Sequence, residues 1–187
     1  MDIKEAIRKR RAYRSLVPVK ITKDLINDLV ESAQLSASCF NNQPWRYVFV
    51  YDPKVLKEMH SALSLGNEWA RDASMIIVVF SKRDDDCIIK DREYYLFDTG
   101  MATAFLILRA TELGLVAHPI AGYSPKKVRE ILHIPNHMNV ITLVIVGKHS
   151  DKISPVLSDK QREWELERPK RLSTEKIAFV NRYNAHK

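Results

Sequence analysis

Strand-sized apolar runs separated by helix-patterned segments predict an α+β sandwich for this chain of 187 residues. Three observations carry that expectation. Residues 46–51, 73–80 and 140–146 are rich in β-branched, aromatic and other apolar side chains over strand-like lengths. Between them, apolar residues recur at helical spacing behind capping residues, at Thr22, at Asp52-Pro53 and at Ser124-Pro125. No internal repeat breaks this order into smaller units, so residues 1–187 read as one domain.

Taken in order, Asp2 caps a short helix with Ile3, Ala6 and Ile7 on one face, running into a basic cluster and stopped at Val17-Pro18-Val19. The cluster is Arg8-Lys9-Arg10-Arg11-Ala12-Tyr13-Arg14-Ser15. Were it helical, Arg10, Arg11 and Arg14 would converge on one patch. Thr22 opens a second helix in which Leu25, Ile26, Leu29, Val30 and Ala33 repeat at helical spacing. A polar loop over residues 36–45 leads into the first strand. A helix follows Asp52-Pro53 to near Leu63, Gly66 and Asn67 mark a turn, and residues 73–80 form a buried strand.

The charged stretch over residues 81–91 reads as a solvent loop, and a long amphipathic helix runs from near Tyr94 to Leu113, ended by Gly114. Within it, Gly100 and Ala102 suit close approach of another helix, or mark a locally weak one. Residues 116–123 are extended and turn at Gly122, a helix follows Ser124-Pro125 to Leu132, and residues 140–146 form the last strand. Beyond Ser150 the chain is charged, punctuated by proline and short of apolar periodicity until residues 177–180. Such a tail frays or wraps a partner.

Composition bounds the function. A hydrophobic content of 45% fits a globular protein, no apolar run reaches membrane-spanning length, and the first residues lack a signal-peptide core, so a cytoplasmic location with no membrane partner is expected. Two cysteines, Cys39 and Cys87, do not make a disulfide framework. A net charge of +7 favours a polyanionic partner, whether nucleic acid, an acidic surface or a phosphorylated ligand. A solvated basic helix end explains the opening cluster equally well.

Several chemistries are excluded. With five glycines there is no G-x-G-x-x-G or phosphate loop, and no G-x-S-x-G elbow. His133 and His137 are separated by Pro135, which spoils the helix that would pair them on a metal, and no metal site is expected. Cys39 has no adjacent His or Asp to activate it as a nucleophile.

The order of segments says more than any one of them. Arg-Arg-Ala-Tyr-Arg-Ser near residue 10, Ser-Cys-Phe-Asn-Asn-Gln-Pro-Trp before the first strand, Pro-Ile-Ala-Gly-Tyr after the long helix and Val-Gly-Lys after the last strand together resemble the FMN-dependent nitroreductase family. The resemblance extends nearly to the closing Val-Asn-Arg-Tyr. It implies a three-layer sandwich, with a central, mainly antiparallel sheet between helices, and a C-terminal extension, residues 151–187, embracing a partner subunit.

It also implies a set of cofactor contacts. Arg10, Arg11 and Arg14 match the positions holding the FMN phosphate and ribityl chain, and Lys148 and Arg171 the late basic residues that complete the phosphate site. Ser38, Cys39 and Asn41 match the loop approaching the flavin from the other subunit. Pro119, Ile120, Ala121 and Gly122 match the segment against the isoalloxazine ring, with backbone amides near Ala121 and Gly122 facing N5, and Asn67 is a further polar contact to the pyrimidine. Ala12 replaces a serine common among relatives, and Ala121 an acidic residue of many larger ones.

The physical chemistry agrees, since FMN needs cations for its phosphate and a flat, water-poor slot for its ring. Phe40, Trp45 and Trp69 lie near the expected slot or serve the core. The expected activity is hydride transfer from NADH or NADPH to FMN and onward to an acceptor such as a nitroaromatic or quinone, in a homodimer, with no protein residue marked as an obligatory acid or base. A non-catalytic basic module for nucleic acid, supported by charge alone, and a flavin carrier or sensor are the competing readings.

Overall fold

Residues 1–183 are described by a computed structural model. Four strands form the backbone of the main sheet in the order β1 (Leu16–Val17), β7 (Asn139–His149), β3 (Met75–Ser81) and β2 (Arg46–Val50), and β6 (Val116–Ile120) also pairs with β7. Every pairing is antiparallel. β3 is buried almost throughout, and its side chains alternate between two cores. Ile76 and Val78 join Trp69, Ile120, Val128 and Ile145 on one face. Met75, Ile77 and Val79 join Leu29, Leu106 and Val144 on the other.

Helices cover both faces. α3 (Pro53–Met59) and α5 (Pro125–Leu132) lie over the first core, while α2 (Lys23–Gln34) and α4 (Tyr95–Glu112) pack together over the second. This is the expected α+β three-layer sandwich. The caps behave as their chemistry requires. Thr22 accepts from Leu25 N–H, Asp52 from Lys54 and Val55 N–H, and Ser124 from Lys127 N–H. Gly114 follows α4 with φ +77, a conformation that favours glycine.

Four expectations need correction. The basic cluster is not helical past Lys9: α1 (Ile3–Lys9) ends with Arg10 at its C-cap, and residues 11–15 run extended into β1. The reason is that the Arg14 and Ser15 N–H groups bond to the Glu165 carboxylate instead of carbonyls one turn back. The tail is not without order, because α6 (Asp159–Leu166) forms behind a capping box of Ser158 and Gln161. Residues 81–91 contain a 3₁₀ turn, Arg83–Asp85, and β4 (Ile88–Ile89), which pairs with β5 (Arg92–Glu93). Finally, Cys39 and Cys87 are joined as a disulfide across 48 residues. Folding brings their two loops together, which neither cysteine's local sequence could announce.

Candidate functional site

The extended segment after α1 and the segment around α6 build one recess between them. Glu165 is the buried centre of the junction, accepting from Arg14 N at 2.7 Å and Ser15 N at 3.1 Å. Arg11 donates to the carbonyls of Trp164 and Glu165 at the carboxyl end of α6, where the helix dipole favours a cation. In return, Arg168 donates to the carbonyls of Arg8 and Arg10 at 2.6 and 2.9 Å. Backbone and charge together thus fix two segments 150 or more residues apart in the chain.

The result is a cavity of about 200 Å³ lined by Arg10, Arg11, Arg14, Arg168 and Arg171, with Ala12, Trp164 and Pro169. Five arginines line it, and no acidic residue does. Burial, and then the nearby Arg168 and Arg171 charges, hold the Arg10 guanidinium below its ordinary pKa. Arg14 is half-buried with its guanidinium 5.8 Å from the Trp69 ring centre and 5.5 Å from that of Trp164. Arg14 therefore has little freedom to swing out to solvent.

His118, on β6, is buried beside the basic segment. Its Nδ1 lies 3.0 Å from the Tyr13 carbonyl, and its ring stacks on Trp69 at 4.8 Å. A carbonyl only accepts, so Nδ1 carries the proton. Burial, with the Arg14 and Arg10 charges adding to it, pushes the His118 pKa down to about 4. A neutral imidazole there adds no further positive charge beside Arg10 and Arg14.

A second group of expected residues lies at the end of β6. Pro119 and Ala121 are exposed, while Ile120 turns into the first core. The Ala121 and Gly122 N–H groups have no acceptor among the described residues. Gly122 O accepts from Ser64 N and Asn67 Nδ2, at 3.0 and 2.9 Å. A Cβ on Gly122 would collide with that Asn67 amide, so any larger residue there would have to displace the Asn67 side chain. Asn67 is thereby placed as the holder of the Gly122 turn.

The third group is the loop over residues 36–45. Ser38 Oγ accepts from Gln43 N at 3.0 Å, Cys39 N donates to Asp98 at 2.7 Å, and Phe40 stands exposed to solvent. Asn41 sits in the left-handed region at φ 59. Cys39, Asp86 and Cys87 have metal-ligand spacing, but the two sulfurs are bonded to each other. Trp45 and Trp69 are both core residues.

The structure thus brings Arg10, Arg11, Arg14 and Arg171 together. It does not bring Lys148 into that cavity, because Lys148 alternates on β7 with His149, whose ring stacks on Tyr13 at 3.7 Å. Glu165, Trp164, Arg168 and His118 were missed as site residues. The capping box Ser158-x-x-Gln161 was a readable signal for α6, and so for the first two.

Among the described residues no helix is long and apolar enough to cross a membrane. The Nitroreductase family profile matches residues 7–66 and 58–148. An NADH dehydrogenase of Thermus thermophilus is 24% identical over 186 residues, covering 83% of this chain and 90% of that protein. An iodotyrosine deiodinase of Haliscomenobacter hydrossis is 26% identical, covering 82% and 81%. The crystal structure of an oxidoreductase containing FMN superposes with a TM-score of 0.83 at 27% identity, covering 100% of this chain and 94% of that one. The matched span covers most of the fold and includes the basic segment, the loop and the Gly122 turn, and the chain belongs to the nitroreductase family.

Proposed function

We propose that the chain is an FMN-dependent NAD(P)H oxidoreductase acting as a homodimer. The recess of five arginines without a carboxylate carries the reading, because it suits a dianionic phosphate. Converging in a recess, these cations fit a small phosphorylated ligand better than a nucleic-acid backbone running across a face. Arg10, Arg11, Arg14 and Arg171 would hold the phosphate, with Arg168 bracing the segment that carries them. Lys148 lies outside the recess and would act at longer range. Pro119 and Ala121 would offer an apolar surface to the ring, with Ile120 anchoring that strand end in the core. The free N–H groups of Ala121 and Gly122 would present donors at the ring edge, held in place by Asn67. When bound, FMN would supply the redox chemistry that links NADH or NADPH to an acceptor such as a nitroaromatic or quinone.

A cavity of about 200 Å³ falls short of the about 300–1,000 Å³ typical of drug-sized ligands, so one protomer seats the phosphate and leaves the ring to a shared surface. Exposed apolar residues on α1 and α4 would form that surface. Ile3 and Ile7 of α1, Leu35, and Leu96, Phe97 and Phe105 of α4 are exposed. Gly100 on the same helix faces open space, which suits the close approach of a partner helix. The loop carrying Ser38, Cys39 and Asn41 would reach the partner's flavin. Residues 151–187 would serve as the dimer-embracing extension of a single domain. The described part of the tail past Arg171 keeps Leu172, Ile177 and Val180 exposed, while β2 has one unpaired edge.

Purified protein should be yellow, release FMN on denaturation, bleach anaerobically with NADH or NADPH and sediment as a dimer. Failure to take up FMN after reconstitution overturns the reading.

A further inference from the structure

The loop over residues 36–45 is held in an unusual backbone. Phe40, Asn41 and Gln43 have φ of 48, 59 and 50, three non-glycine residues in the left-handed region within four positions. Such conformations persist where the surroundings over-determine them. Most of the surroundings here come from the loop before β4 and the start of α4. Cys39 N donates to Asp98, Asn42 Nδ2 donates to Asp86 Oδ1 at 3.3 Å, and Cys39 Sγ is bonded to Cys87.

The two carboxyls frame the disulfide. Asp86 and Asp98 are both more than nine-tenths buried. Asp86 Oδ1 accepts from Cys87 N at 2.8 Å, and its Oδ2 has no partner. Burial and then the neighbouring Asp86 hold the Asp98 carboxyl above the usual carboxylate range. Each half-cystine therefore has its own backbone N–H tied to one of two buried carboxyls. That frame keeps the two sulfurs opposite each other whether or not they are bonded.

We propose that Cys39–Cys87 is a reversible thiol–disulfide site that clamps the flavin-facing loop, its partner a small or protein dithiol. Both cysteines are half-buried and so within reach of such a reagent. One thiolate of the dithiol attacks Cys39 Sγ, and the S–S bond breaks toward Cys87, whose sulfur faces Asn42 Nδ2 at 3.6 Å. The second thiol of the reagent then closes on the mixed disulfide. Two electrons and two protons pass to the protein, leaving Cys39–SH, Cys87–SH and an oxidised reagent. With the bond open, the strained loop relaxes and its grip on the cofactor site weakens, a consequence that rests on the FMN reading above.

The test uses the full-length dimer as purified, before and after dithiothreitol. Alkylation with mass measurement should label both cysteines only after reduction. Hydrogen exchange should rise in peptides spanning residues 36–45 and 82–94, and the Kd for FMN should rise about tenfold, equivalent to about 1.4 kcal/mol. The Cys39→Ser/Cys87→Ser variant should match the reduced protein in either buffer. Labelling of both cysteines without reductant, or equal exchange in the two peptides before and after reduction, overturns the proposal. Changed exchange with unchanged FMN affinity overturns its coupling to the cofactor. Changed exchange in a protein that binds no FMN in either state supports the redox site and instead sinks the flavin reading.

Discussion

The basic segment after α1 and the loop after α2 are both irregular, both polar and both expected to touch the cofactor, yet they are secured in opposite ways. The first is held by reversible hydrogen bonds to residues about 150 positions away, centred on Glu165. The second is held by a covalent bond and a buried pair of carboxyls. A segment fastened by charge answers to protons and anions, whereas one fastened by sulfur answers to electrons. The two segments are therefore open to control by different solution variables.

The largest effect should come from breaking the covalent fastening. Chain-entropy arithmetic for a 48-residue separation gives about 4 kcal/mol for the Cys39–Cys87 bond, so Cys39→Ser/Cys87→Ser should lower the urea midpoint accordingly. Next comes Glu165→Ala, which leaves the Arg14 and Ser15 N–H groups without an acceptor. A loss of about 3 kcal/mol is expected in the same measurement. A drop under about 1 kcal/mol would mean that water satisfies both donors.

The pH responses sharpen the contrast. His118 titrates near 4 when folded and near 6.5 when unfolded, so the unfolded chain binds the extra proton between those values. Its neutral ring costs nothing above pH 6.5, and stability falls as pH drops toward 4, by about 3 kcal/mol at the limit. Chemical denaturation across that window should show the slope, and His118→Phe should flatten it. Asp98 has the opposite sign: its folded pKa is raised, so stability is lost as pH rises through that value. The smallest effect is local. Arg14→Ala should weaken FMN binding by about tenfold or more while leaving riboflavin, which lacks the phosphate, little changed. Equal losses for both ligands in flavin titrations would place Arg14 elsewhere.

Much of the fold was legible because its signals are local. Thr22, Asp52 and Ser124 each cap the helix their side chains could reach, and the apolar runs around residues 75–79 and 143–146 became central strands. The site was legible in its cations but not in its geometry. Arg10, Arg11 and Arg14 were readable as anion ligands, while the carboxylate that bends them out of a helix sits in α6, a helix whose charged surface hides its periodicity. The pairing of Cys39 with Cys87 depends on how two loops meet and leaves no mark on either.

The Glu165 junction also has a consequence for how the protein is made. The recess takes one wall from residues 10–14 and the other from residues 164–171. During synthesis the first wall emerges early and waits with its guanidiniums crowded and unanswered. Only when residue 171 clears the ribosome can the second wall close on it, so the recess forms long after its first wall has been made.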